Sequence, residues 1–373
     1  MSVVVISMAP PVVVKPSEPV TTTGDINLSS YDKCCVNNPG TALLVFEHPI
    51  PGPVETIKKG LSRALVHYYP MAGRLAAGAT AGDVVIRCTA EGVSFVAASA
   101  NCGIKEVQDL WDPSLKEELT VRYPEGLCRY SDPLLLMQVT VFSCGGFVLG
   151  VTYNHAVADG VGMGQFLQAV GELSRGLPSP SVVPLRQHDS FSLGPPPVFI
   201  KFVEFLASLQ PSQMAVLDIT VKSSLIKRIR DRYAGAREGY YGNCLLAPLV
   251  LATTGAVANG DLMDLVAMIQ GAKDRPVPDL SDLEQLVQMP DPYNSMLINS
   301  WGNARREGAD FGAGSPGRVM GHSLGMAGMP SCTAGFPCND GYSMLSVCVR
   351  EDHAGAFLKE LADMHHIYPS SRL

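Results

Sequence analysis

The sequence predicts an α/β protein built from two halves of nearly equal size. Three observations carry this. Helical and strand patterns alternate through the first half. Proline clusters at "GLPSPSVVP" (176–184) and "LGPPPVF" (193–199) interrupt the middle of the chain. Hydrophobic residues make up 46% of the 373 residues and charged residues only 17%, enough for a large buried core. The break divides the chain into a domain over 1–180, a crossover linker over 181–200 and a second domain over 201–373.

The elements follow from their periods. The N-terminal "MSVVVISMAPPVVVKP" is apolar, carries no basic leader and contains Pro10-Pro11, so it reads as an extended first strand and not as a signal peptide. "VETIKKGLSRALVHYYP" (54–70) places Ile57, Leu61, Ala64, Leu65 and Tyr68 on one stripe, a helix that Pro70 stops. "GDVVIRCTAEGVSFVAAS" (82–99) reads as two short strands around Glu91-Gly92. "LLLMQVTVFSCGGFVLGVTYNH" (134–155) reads as a hairpin turning at Gly145-Gly146, with Phe147, Leu149, Val151 and Tyr153 alternating along its second strand. A helix follows in "GMGQFLQAVGELSRG" (162–176). The second half is less regular. Helices are predicted at 222–233, 260–275 and 351–366, and strands around 217–221, 295–301 and 342–349.

Bulk properties exclude some functions. The net charge is −7 and no Lys/Arg block occurs, which argues against a nucleic-acid partner. The apolar run "LLLMQVTVF" (134–142) is far shorter than the roughly 18–20 residues of a membrane span. The ten cysteines have no repeating spacing and no CxxC, as in reduced thiols of a cytoplasmic protein.

The chemistry concentrates in "YNHAVADGVG" (153–162), where a strand ends and a helix begins. His155 carries the side chain best suited to take a proton from a hydroxyl or amine near pH 7. Asp159 can organise the loop, and Gly160 permits a tight turn. Rival motifs are weaker. "GHSLG" (321–325) matches a hydrolase nucleophile elbow, with Asp340 or Asp352 and His353 behind it, but Ser323 is followed by a Gly/Pro-broken stretch where the elbow needs a helix. "GVGMG" (160–164) lacks dinucleotide-loop spacing. His365-His366, and Cys332 with Cys338, lack the further ligands of a metal site. No metal is expected.

Several motifs in order give the chain a strong resemblance to the plant BAHD acyl-CoA-dependent acyltransferases. "LSSYD" (28–32) resembles the family's LSxxD element, and "LSRALVHYYPMAGRL" (61–75) its first-helix signature. Residues 132–176 hold HxxxDG in its expected setting, "YYGNC" (240–244) resembles the second-domain motif, and "ADFGAG" (309–314) corresponds to DFGWG. The resemblance implies a two-domain chloramphenicol-acetyltransferase-like fold with mixed sheets and an interdomain channel. It implies acyl transfer from acyl-CoA, as co-substrate, to a hydroxyl or amine of a small molecule in plant specialised metabolism, with His155 as general base. Asp159 and Gly160 would support the site. Asp310, Phe311, Gly312 and Gly314 would be structural. No permanently bound cofactor is implied, and the protein is expected to be a monomer.

Two departures stand out. Ala313 occupies the tryptophan position of DFGWG. "IKRIRDRYAGAR" (226–237) runs almost directly into "YYGNC", where the family has a further helix and a strand ending in Asn-x-Arg. The second domain is therefore expected to be incomplete near 237–240, and Asp159 to lack its family arginine or to use Arg237. Two other outcomes follow from these readings: a truncated, weakly active or inactive homologue, and, more remotely, a serine hydrolase using Ser323.

Overall fold

The computed structural model describes residues 4–20, 24–29, 32–33, 35–36, 38–80, 82–107, 113–186, 217–222, 239–243, 252–260, 262–273, 296–300, 308–322, 330–338 and 341–367. The linker beyond residue 186, the expected helix beyond Lys222 and residues 237–238 at the apparent deletion lie outside them.

A seven-stranded mixed sheet organises the first half. Its strands are β1 (Ile6–Met8), β2 (Val12–Val14), β4 (Pro39–Phe46), β7 (Val93–Ala100), β8 (Leu135–Val141), β9 (Phe147–Asn154) and β12 (Arg318–His322), in the order β1-β7-β8-β9-β4-β12, with β2 also paired to β7. Only β7 and β8 run parallel. Pro10-Pro11 splits the expected first strand in two, since proline cannot donate to a ladder. A three-stranded sheet joins β3 (Asp25–Asn27), β6 (Val84–Arg87) and β5 (Arg74–Ala77). A four-stranded sheet orders β10 (Leu217–Lys222), β14 (Gly341–Val347), β13 (Ser331–Cys338) and β11 (Leu297–Ser300). The helices are α1 (Pro53–His67), α2 (Pro113–Glu118), α3 (Gly160–Ser174), α4 (Thr254–Asn259), α5 (Leu262–Lys273) and α6 (Ala354–Ile367).

The core forms on both faces of the large sheet. Leu44, Phe46, Leu149, Val151 and Tyr153 belong to one buried cluster with Ile57, Leu61 and Leu65 of α1 and Met163, Phe166 and Val170 of α3. Their neighbours Leu43, Val45 and Val148 belong to a second cluster with Phe142 and Met320. Successive strand residues point to opposite faces, so β4 is apolar at every position over Ala42–Phe46 and β9 over Phe147–Leu149. Helices α1 and α3 touch closely. A Cβ on Gly60 would lie 2.7 Å from the Val170 carbonyl oxygen, and Arg63 donates to the carbonyls of Leu173 (2.8 Å) and Leu177 (2.7 Å) past the end of α3. That places cationic donors at the negative end of the helix.

One strand from the second half of the chain joins the large sheet. Strand β12 pairs antiparallel with β4, matching Arg318–His322 to Val45–Thr41, and so completes the first sheet. An edge strand as apolar as β4 would otherwise present unpaired N–H and C=O groups.

Candidate active site

Strand β9 ends at Asn154, α3 begins at Gly160, and His155 heads the short loop between them. Asp159 is the N-cap of α3: its Oδ1 accepts the Gly162 N–H at 2.9 Å, and its backbone is extended. The glycines set how closely the loop is approached. A Cβ on Gly162 would stand 2.0 Å from the Tyr241 carbonyl oxygen, so only glycine lets residues 239–243 lie against the first turn of α3. Gly162 of "GVGMG" thus serves close packing.

His155 itself is partly exposed, yet its Nδ1 is out of solvent and has no hydrogen-bond partner of normal geometry among the described residues. The ring lies roughly parallel to that of Tyr153, with centroids 5.9 Å apart. Burial holds the imidazole below its ordinary pKa. The Asp159 charge, the residue's own carbonyl, the Asn243 side chain and Asp32 pull weakly the other way. The net direction keeps the ring neutral near pH 7, the form that can accept a proton.

Beneath the loop lies a polar network. Asp32 is fully buried, Arg186 is 8% exposed and Asn243 is 5% exposed. Asp32 Oδ2 accepts the Ser29 N–H (2.9 Å) and pairs with Arg186 Nη2 (3.0 Å). Its Oδ1 accepts both the N–H (3.1 Å) and Nδ2 (2.8 Å) of Asn243. Asn243 Nδ2 also donates to the His155 carbonyl (2.8 Å), and Arg186 Nη2 to the Ala156 carbonyl (2.9 Å). Arg186 is brought there by a short pairing between Leu185 and Gly239–Tyr241. Sequence reasoning singled out 28–32 and 240–244 as motifs but gave Asp32 and Asn243 no place at the site, and it missed Arg186 entirely. A lone arginine in a proline-rich stretch carries no local signal.

The DFGxG stretch sits at the other end of α3. Asp310 Oδ1 accepts the N–H groups of Gly312 (2.8 Å) and Gly314 (2.9 Å), which have φ of 111° and 82°. Those angles favour glycine. Asp310 Oδ2 pairs with Arg175 Nη1 at 2.8 Å, and Phe311 packs edge-on to Phe46 with centroids 5.4 Å apart. Fifteen residues of helix separate this turn from His155, about 22 Å at 1.5 Å per residue. The stretch anchors α3 at the end opposite the imidazole. Ala313, in place of tryptophan, is half-buried against the same core.

Of the alternative sites, Ser323, Asp340 and Arg237 fall outside the described residues. His353 and Asp352 are exposed and 3.9 Å apart. No cluster of His, Cys, Asp or Glu able to hold a metal occurs among the described residues, and no described helix is long and apolar enough to cross a membrane.

A strand-end histidine, a capped helix and a buried carboxylate network fit acyl transfer, and the comparisons decide the family. A model described as the Transferase family matches residues 5–233. Acyl transferase 15 of Oryza sativa subsp. japonica is 39% identical, covering 97% of this chain and 99% of that protein. The chain belongs to the BAHD acyltransferases. A second BAHD relative is myricetin 3-O-glucosyl 1,2-rhamnoside 6'-O-caffeoyltransferase AT2 of Crocosmia x crocosmiiflora, 29% identical over 95% of this chain and 98% of its own. The BAHD fold is shared with solved structures. Vinorine synthase superposes with a TM-score of 0.68 at 17% identity, covering 94% of this chain and 96% of that one. TRI101 of F. sporotrichioides, complexed with coenzyme A and T-2, gives 0.54 at 15% identity, covering 90% and 97%. The protein is thus an α/β acyltransferase with mixed sheets and the chloramphenicol-acetyltransferase-like architecture. The rice alignment spans 429 positions on a chain of 373 residues, so this BAHD protein lacks tens of residues that the relative has.

Proposed function

We propose that the protein transfers an acyl group from acyl-CoA to a hydroxyl or amine of a small molecule, with His155 as the general base. The observation that carries this is the imidazole at the end of β9, with Nδ1 buried, the residue as a whole partly exposed, and burial holding the ring neutral. Nε2 removes the acceptor proton. The freed oxygen or nitrogen attacks the thioester carbonyl, and the tetrahedral oxyanion collapses. The C–S bond breaks, and the imidazolium returns its proton to the departing CoA thiolate. Base catalysis of this kind contributes roughly 10²–10⁴-fold, and holding both substrates at one site contributes further. The acyl-CoA donor is supported by the fold neighbour crystallised with coenzyme A, and an aromatic acyl group by the relative named as a caffeoyltransferase. Asp159 fixes the loop as the N-cap of α3 and takes no part in proton transfer.

The experiment is a screen of the purified chain with acetyl-, malonyl- and caffeoyl-CoA against alcohols and amines, following free thiol release and product mass. Acceptor-dependent thiol release supports the reading. Thiol release indifferent to every acceptor, or none with any donor, would overturn it.

A further inference from the structure

Three buried polar side chains, from segments far apart in sequence, converge on two consecutive backbone carbonyls. Asp32 lies near the end of the first motif, Arg186 follows α3, and Asn243 belongs to the 239–243 segment. Each of the two donors divides its hydrogens in the same way. Asn243 Nδ2 reaches both Asp32 Oδ1 and the His155 carbonyl; Arg186 Nη2 reaches both Asp32 Oδ2 and the Ala156 carbonyl. Asp32 also fixes which way the Asn243 amide points, because only the nitrogen can face a carboxylate. A third link holds the loop from above: Asn154 Oδ1 accepts the Ala156 N–H at 2.9 Å, and Asn154 Nδ2 donates to the Val36 carbonyl at 2.7 Å.

Such an arrangement is a poor device for stability alone. A buried ion pair is often matched or bettered by apolar side chains of the same volume. What it supplies is a fixed geometry, and the fixed atoms belong to the residue that bears the imidazole. We propose that Asp32, Arg186 and Asn243 form one positioning unit, which pins the His155 carbonyl and through it the orientation and tautomer of the His155 ring. The proposal rests on the reading of His155 as the base. Nδ1 is buried, and a neutral ring with its proton there keeps the Nε2 lone pair for the acceptor. Holding the His155 carbonyl with Asn243 fixes the backbone from which the ring projects, and so holds that arrangement in place. Arg186 balances the buried carboxylate and keeps the next carbonyl from turning.

The test reads the ring directly and needs no substrate. The full chain is labelled with ¹⁵N-histidine, and long-range ¹H–¹⁵N spectra are recorded at about pH 7.5, where an unperturbed imidazole is already mostly neutral. His155 is assigned from the His155→Gln variant. The expected native spectrum has two well-separated ring nitrogen signals of a single neutral tautomer. Asn243→Ala and Asp32→Asn should merge or broaden them. Asn243→Ser, which keeps one donor and a smaller change in volume, should fall between. Glu172→Gln is the structural control. Glu172 is buried on α3 and accepts from the Ser181 N–H (2.8 Å) and Gln168 (2.9 Å), so its loss lowers the melting temperature without touching the unit. Its ring spectrum should be native. A native His155 spectrum in the folded Asn243 variants, or equal broadening in Glu172→Gln, would overturn the proposal. The general-base reading fails separately, through turnover that survives in His155→Ala.

Discussion

At the scale of single residues, the electrostatics of His155 make a signed expectation. Burial lowers its pKa, so activity should persist below the usual imidazole range. The acid limb of the kcat/KM profile should lie below about 6.5, with activity falling as the ring protonates. Asp159 opposes that shift. Asp159→Asn should move the limb further down while keeping a side-chain oxygen to cap α3; Asp159→Ala removes the cap as well, at a cost of about 0.5–2 kcal/mol. A limb at or above the ordinary value would contradict the buried-base account. The HxxxDG residues were legible in sequence because their roles are local: a strand end, a cap and a tight turn within six positions. Asp32, Arg186 and Asn243 were not legible as a group. Their relation exists only after the chain has folded three distant segments together.

At the scale of elements, α3 carries the site at one end and an anchor at the other, and two glycine substitutions separate these roles. A Cβ on Gly162 would meet the Tyr241 carbonyl oxygen at 2.0 Å, and one on Gly171 the Asp310 carbonyl oxygen at 2.5 Å. Overpacking of this kind costs typically about 1–3 kcal/mol. Both Gly162→Ala and Gly171→Ala should therefore melt at lower temperature. Only Gly162→Ala should also lower kcat, because it pushes the 239–243 segment away from the loop. Equal kcat losses in both would place the effect in general destabilisation. Helices α1, α3, α5 and α6 and the β8–β9 hairpin were legible in the sequence, whereas the six-residue helices α2 and α4 were too short to show a period. Strand β4 was not singled out, because burial on both faces removes the alternation that marks a strand. Strand β12 is five residues long and owes its existence to β4, some 270 positions earlier, so local pattern carries no trace of it. The Gly/Pro-rich "SCTAGFPC", unsuited to a helix, is strand β13, with an irregularity between Ala334 and Phe336 that absorbs the misfit.

At the scale of the whole molecule, the second half both completes the first sheet and supplies Asn243. Truncation before residue 308 removes β12 and leaves the β4 edge unpaired. Such a truncated chain should aggregate on expression, while the full chain remains recoverable; a soluble, cooperatively melting truncate would show that β12 is dispensable. The shortened span before residue 240 bears on the same question, since natural domains have a margin of only roughly 5–15 kcal/mol. Early proteolytic cleavage within 230–245 is the expected sign of a weakened second half. Resistance through that span would show that the shortened chain closes on itself. The central claim, that this chain moves an acyl group from CoA with His155 as the base, is tested most directly by acceptor-dependent CoA release from matched preparations of the native protein and His155→Ala. The account predicts a fall of about 10²-fold or more with an unchanged melting curve. Release within a few-fold of native in His155→Ala would contradict it.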